Sequence, residues 1–181
     1  MIDLSKIKTG DIGFVYSKFN RKNKDTWISG FVRFFMNFQS LVLGRELIRN
    51  QHCGIFAWVG NTLYFYESVS KGFVSTPAYL KFGGRWNDVV IKRYEDINED
   101  NIHIVSLKSK YNYFGLLLQL IRQLSFNMID LEAQKTGTKW LYCSQSDAYL
   151  INKMSNGKYC QYWYSTDTQD LFFDKASEII K

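Results

Sequence analysis

The chain of 181 residues is poor in proline and histidine, and these shortages exclude several classes of protein. It contains one proline, which argues against a linker-rich or disordered protein. Its two histidines, His52 and His103, lie 51 positions apart, and neither Cys-x-x-Cys nor His-Glu-x-x-His is present, so no zinc set is recognisable. Walker and Gly-x-Gly-x-x-Gly loops are also missing. We therefore expect no metal ion and no cofactor.

Cysteine is scarce as well, and its spacing bears on the redox compartment. Cys53, Cys143 and Cys160 are odd in number and show no paired spacing, so they do not predict a disulfide framework. No charged segment followed by an apolar run opens the chain. We expect a reducing, cytoplasmic setting.

Neither concentrated charge nor a long apolar run is present. The net charge of +6 comes from 23 basic residues scattered among 17 acids, without a basic run, so nucleic acid is not an expected partner. Residues 27–48 carry apolar side chains at nearly helical spacing, but Arg33, Asn37 and Glu46 interrupt them before the ~20 predominantly apolar residues of a spanning helix are reached. This segment predicts a core or lid helix, and a peripheral membrane contact stays open.

What the sequence does contain is enough apolar material for one core. With 46% hydrophobic and 17% aromatic residues, residues 1–181 can fold as a single domain. Alternating runs predict strands near residues 12–16 and 88–94, and residues 70–77 predict a turn and a short strand. The aromatic run 158–164 predicts a last strand.

The most informative strand pattern is a predicted β-hairpin. Two β-rich runs, residues 51–59 and 62–69, are separated by Gly-Asn, which favours a primed turn. His52 lies near the start of the first run and Glu67 near the end of the second. In an antiparallel hairpin these ends are neighbours, so the imidazole and the carboxylate can meet there. Taken singly, each residue is equally well explained as a structural or solvated strand residue.

A candidate nucleophile lies later in the chain. Apolar residues recur with helical spacing at Ala148, Ile151 and Met154, which places Cys143 at a predicted helix N-terminus with Asp147 in the opening turn. The unpaired N–H groups and the positive end of the helix dipole favour a thiolate there. The alternative is a buried free cysteine that serves as a small hydrophobe. Of the two histidines, His52 is the better candidate base, because Glu67 can fix its tautomer.

Five short blocks of sequence together resemble a known family. In chain order they are Gly10-Asp11-Ile12-Gly13-Phe14, His52-Cys53-Gly54-Ile55, Tyr66-Glu67-Ser68, Tyr111-Asn112-Tyr113-Phe114-Gly115-Leu116 and Tyr142-Cys143-Ser144-Gln145. They resemble the successive motifs of the circularly permuted papain-like cysteine hydrolases of the NlpC superfamily, in the YiiX/YebB-like branch. The chain departs from that pattern at Asn112 and Gln145, where aspartate and glutamate are usual, and in the length of segment 27–48.

The resemblance implies both a fold and a chemistry. The implied fold is α+β, a circularly permuted papain-like (NlpC-type) domain with an antiparallel sheet packed against helices. The implied site consists of Cys143 as nucleophile, His52 as base and Glu67 as the group that orients the base. The implied reaction is acyl transfer through a thioester, with a peptide, amide or acyl ester as substrate, including a cell-wall peptide.

Two alternatives remain open at this point. One is a lipid-directed acyltransferase or thioesterase, because the family is similar in fold to lecithin:retinol acyltransferase-type enzymes. The other is a catalytically silent module of the same fold that binds a peptide or a lipid. Reactivity of the Cys143 thiol at neutral pH separates an enzyme from the silent module.

Overall fold

The computed structural model describes residues 3–15, 52–69, 71–98, 143–162 and 168–180, together with residues 34, 38, 41, 110, 111, 121, 140 and 141. This part of the chain has an α+β fold. Its main feature is a six-stranded antiparallel sheet, and helices lie on both faces of that sheet.

The strands among the described residues are β1 Ile12–Val15, β2 His52–Val59, β3 Thr62–Val69, β4 Gly72–Pro77, β5 Val89–Tyr94, β6 Lys110–Tyr111, β7 Trp140–Leu141 and β8 Ser177–Ile180. The helices are α1 Ala78–Phe82, α2 Cys143–Met154 and α3 Thr168–Phe173, with short 3-10 turns at Leu4–Lys6 and Trp86–Asp88. The large sheet has the order β4-β3-β2-β1-β5-β8, while β6 and β7 form a separate parallel pair.

The predicted β-hairpin is confirmed, with β2 and β3 as its two strands. The two strands pair in the register Ile55↔Tyr66 and meet at a turn in which Gly60 has φ of 57°. A primed turn needs this left-handed conformation, which glycine adopts without steric cost.

The two faces of the sheet bury different clusters. Cross-strand pairs such as Phe14↔Cys53 and Ile12↔Ile55 lie on the face that α2 covers. The opposite face buries Phe56 and the rest of a second cluster, which packs against α1. The members of the first cluster are Ile12, Phe14, Cys53, Ile55, Tyr94, Cys143, Ala148, Leu150, Ile151, Met154 and Leu171. Those of the second are Ile7, Phe56, Leu63, Phe65, Ala78, Phe82, Val89 and Ile91.

The strand predicted at residues 158–164 is wrong over its described part. Residues 158–162 are not extended, and Cys160 has φ of 52°. The reason lies in the end of α2, where the Gly157 N–H donates to the Asn152 carbonyl at 2.7 Å and turns the chain back. The Asn152 side-chain amide donates to the Tyr159 carbonyl at 2.9 Å, so the aromatic run packs at the end of α2 instead of forming a strand. The last strand among the described residues is β8.

Segment 27–48 is helical at its described residues, as the sequence predicts. Phe34, Phe38 and Leu41 are helical, but they are 65%, 48% and 69% exposed, so these three side chains do not belong to the core. Among the described residues, no helix is long and apolar enough to cross a membrane.

Candidate active site

His52 and Glu67 meet at one end of the hairpin, as the sequence predicts. His52 is the first residue of β2, and Glu67 lies near the end of β3. The His52 Nε2 and the Glu67 Oε2 are 2.5 Å apart, which is the separation of a short hydrogen bond. Because Glu67 is 2% exposed, its carboxylate depends on this and its other polar contacts for stabilisation.

The second oxygen of Glu67 accepts a hydrogen bond from Lys81 of α1. Burial favours the neutral acid, but hydrogen bonds and charge from His52 and then Lys81 outweigh it and hold the pKa of Glu67 below its usual value. The ionised carboxylate has no proton to give, so the His52 Nε2–H donates to it. Sequence reasoning missed Lys81, because the lysine lies 14 residues from Glu67 in no recognisable motif.

Cys143 is the first residue of α2, and its side chain contacts His52. Because Glu67 occupies Nε2, Nδ1 is the ring nitrogen left for the thiol. Desolvation opposes the charged imidazole, but hydrogen bonds to Cys143 and Glu67 raise the pKa of His52 from 6.5 to about 10. An imidazolium therefore lies between a carboxylate and a thiol.

The Cys143 thiol is biased towards its ionised form. A hydrogen bond from Cys53 has the largest influence, burial opposes it, and the hydrogen bond and charge of His52 add to it. Together they hold the pKa of Cys143 well below its usual value of 9.0. The arrangement matches a thiolate–imidazolium pair oriented by a carboxylate.

Hydrogen bonds also fix the backbone around the thiol. The Ser68 hydroxyl donates to the Leu141 carbonyl at 2.8 Å, which ties the chain just before α2 to β3. The Ser146 hydroxyl donates to the Cys143 carbonyl at 2.7 Å. Both hydroxyls are fully buried, so these contacts hold the start of α2 against the sheet.

Cys53 lies closer to the nucleophile than the sequence suggests. Because side chains alternate along β2, Cys53 lies on the face of the sheet opposite His52, and the pairing of β1 with β2 agrees with this. However, the opposite face is the one that α2 covers, so Cys53 shares a core cluster with Cys143, and each thiol influences the pKa of the other. Burial, followed by the contact with Cys143, raises the pKa of Cys53 well above 9.0, so this thiol stays protonated.

Asp147 is the second feature that sequence reasoning missed. It lies four residues after Cys143 on the same face of α2 and is 0% exposed, whereas the sequence indicated only an acid in the opening helical turn. Among the described residues, no donor reaches either of its oxygens with hydrogen-bond geometry, although the weakly donating Cys53 thiol is close enough to affect its titration. Burial, with the charge of Cys143, raises the pKa of Asp147 well above its usual value.

The remaining candidates lie elsewhere. Burial raises the pKa of Cys160 to about 12, and its Sγ is 4.0 Å from the Tyr94 hydroxyl. Both carboxylate oxygens of Asp11 accept hydrogen bonds of 2.7 Å from the Arg93 guanidinium, so the two residues form a structural ion pair. His103 falls outside the described residues. Within the described part of the chain, no three His, Cys, Asp or Glu side chains are arranged to hold a metal ion.

Comparison with known proteins gives similarity to solved structures. No family model and no curated protein matches the chain. Among solved structures, it is similar to the crystal structure of metalloprotein yiiX from Escherichia coli O157:H7, with 12% sequence identity, a TM-score of 0.49 and coverage of 96% of each chain.

Proposed function

We propose that this protein is a cysteine-dependent hydrolase of the amidase or peptidase class, with one permuted papain-like domain over residues 1–181. Cys143 is the nucleophile, His52 the base and Glu67 the residue that orients the base. The observation that carries the proposal is the continuous series of contacts from the Cys143 thiol through the His52 ring to the Glu67 carboxylate. A series of this kind is the requirement for activating a thiol towards a carbonyl carbon.

The reaction follows from the charges of these groups. His52 holds the proton that Cys143 has lost, and the thiolate attacks the carbonyl carbon of an amide or ester. His52 then gives that proton to the leaving nitrogen or oxygen, which produces a thioester on Cys143. Water, deprotonated by His52, attacks the thioester and regenerates the thiol. Glu67 stays ionised throughout and stabilises the imidazolium.

The start of α2 supplies stabilisation for the oxyanion. The first N–H groups of a helix have no partner within the helix, and the thiolate belongs to the first residue of this one. The backbone N–H of Cys143 is therefore a donor to the negative oxygen of the tetrahedral intermediate. Loss of one such donor in other enzymes lowers the rate by ~10²–10³.

A lipid-directed acyltransferase or thioesterase with the same three residues is the second candidate. The observation that favours it is the exposure of Phe34, Phe38 and Leu41, which are helical and spaced four and three residues apart. This spacing aligns side chains along one side of a helix, where they are able to contact an acyl chain. Faster cleavage of decanoyl than of acetyl esters, with no cleavage of peptide anilides, would favour this candidate.

The test of the main proposal begins with a substrate-independent measurement. Wild type, Cys143→Ala and Cys160→Ala are treated briefly with iodoacetamide at neutral pH, and the labelled positions are mapped by mass spectrometry. We expect one fast-reacting thiol, Cys143, in the wild type and in Cys160→Ala. A screen of peptide anilides and acyl esters then follows, with the acyl-enzyme trapped by acid quench. Slow labelling of Cys143, with no acyl-enzyme over the whole screen, would identify a silent binding module.

A further inference from the structure

We infer that Cys53 and Cys143 form a reversible intramolecular disulfide when a hydroperoxide oxidises the Cys143 thiolate. This is a modification site that goes beyond the proposed hydrolysis. Cys53 lies on β2, facing α2, and Cys143 is the first residue of that helix. Both thiols are free and belong to the same buried cluster, where each influences the pKa of the other.

The two thiols are unequal in a way that suits stepwise oxidation. Cys143 is 8% exposed and carries the ionised sulfur, so a small peroxide reaches and reacts with this residue first. Cys53 is 0% exposed and stays protonated, so it is protected from direct oxidation but lies against the oxidised sulfur. The third thiol, Cys160, is packed against Tyr94 and takes no part.

The first step is a two-electron oxidation of sulfur. The Cys143 thiolate attacks the terminal oxygen of the hydroperoxide, a sulfur–oxygen bond forms and the oxygen–oxygen bond breaks. The departing alkoxide or hydroxide takes a proton from the His52 imidazolium, which lies next to the thiolate. The products are a sulfenic acid on Cys143 and an alcohol or water.

The second step joins the two cysteines. The Cys53 sulfur attacks the Cys143 sulfur, the sulfur–oxygen bond breaks, and the hydroxide leaves as water with the proton from Cys53. The bond removes the nucleophile, and it also prevents further oxidation of Cys143 to the irreversible sulfinic acid.

The experiment counts and maps thiols, so its result does not depend on hydrolytic activity. Full-length protein is treated with a small molar excess of hydrogen peroxide in the presence of EDTA, then alkylated under denaturing conditions and digested without reductant. In the wild type we expect the free thiols to fall from three to one, with a linked peptide pair that contains Cys53 and Cys143. Dithiothreitol should restore all three thiols.

Two variants serve as a matched pair. Cys160→Ser should form the linkage as the wild type does, whereas Cys53→Ser should form none and should gain two or three oxygen atoms at Cys143. Sulfinic acid at Cys143 in the wild type without a linkage, or a linkage that involves Cys160, would overturn the inference. If Cys53→Ser does not fold, the linked peptide from the wild type decides the question alone.

Discussion

Glu67 and Ser68 are consecutive residues of β3, and their side chains hold the two halves of the candidate site. The Glu67 carboxylate binds the His52 ring at 2.5 Å, while the Ser68 hydroxyl binds the Leu141 carbonyl at 2.8 Å, two residues before Cys143. Side chains of successive strand residues point to opposite faces. His52 and the chain leading to Cys143 are therefore held from different faces of the sheet by two consecutive residues.

The first prediction concerns Ser68. Ser68→Ala should leave the Leu141 carbonyl buried without its donor, at a cost of about 1–3 kcal/mol in the free energy of unfolding. It should also slow alkylation of Cys143, because the start of α2 loses its tie to β3. Urea denaturation and the rate of iodoacetamide labelling measure the two effects. Ser5→Ala, at an exposed position, is the control and should change neither. Unchanged labelling in Ser68→Ala would mean that this hydrogen bond does not position the nucleophile.

The second prediction concerns Glu67 and Lys81. Glu67→Gln should keep more activity than Glu67→Ala, because the amide oxygen still accepts a hydrogen bond from His52. The structure adds a complication, since Lys81 donates to the other carboxylate oxygen. A glutamine at this position has one oxygen for the two donors, His52 and Lys81. Its amide NH₂ group therefore faces the donor that the oxygen does not bind.

We therefore expect Lys81→Met to rescue Glu67→Gln in part. On its own, Lys81→Met should weaken the site less than Glu67→Ala does, because His52 keeps its partner. In the double variant the competing donor is gone, and the rate of Cys143 alkylation at neutral pH should rise above that of Glu67→Gln alone. Lys71→Met, at an exposed turn, is the control and should give no rescue. Strictly additive effects would show that Lys81 and His52 do not compete for Glu67.

The third prediction is a pH dependence that distinguishes alkylation from amide hydrolysis. The pKa of His52 is raised to about 10, so the imidazolium persists through neutral pH and disappears as the pH passes about 10. Amide hydrolysis needs that proton for the leaving group and should fall there. Alkylation needs only the thiolate, whose pKa lies well below 9.0, and should not fall. Two profiles that decline together above pH 10 would contradict the role of His52 as the acid.

The fourth prediction concerns the buried acid Asp147. Its pKa is raised in the folded protein, so the unfolded state ionises first and stability falls as pH rises, by about 1.4 kcal/mol per pH unit while the folded carboxyl stays protonated. Asp147→Asn removes this ionisation. Its stability relative to wild type should therefore increase from pH 4 to pH 7.

The matched control for Asp147→Asn is Asp96→Asn. Asp96 is 73% exposed and has φ of 57°, a conformation that asparagine tolerates as well as aspartate. Its stability difference from wild type should not grow in the same way. Urea denaturation of the three proteins at several pH values provides the measurement. If the difference for Asp147→Asn does not vary with pH, Asp147 is ionised in the folded protein.

The sequence by itself determined the features that depend on local periodicity and turn chemistry. The hairpin follows from two β-rich runs around Gly60, which adopts the left-handed conformation that the turn requires. The start of α2 at Cys143 follows from apolar residues that recur every three positions after it. The contact between His52 and Glu67 follows from their positions at matching ends of the hairpin.

Only the tertiary structure decided which groups surround the thiol. Cys53, Lys81 and Asp147 come from three elements, and no short-range pattern connects them. Their arrangement depends on which face of the sheet α2 covers, and both faces of these strands are apolar, so alternation alone does not select one. The same limit explains the wrong strand at residues 158–162, where the end of α2 captures an aromatic run of high strand propensity. Propensity is a local quantity, and packing against a helix end overrides it.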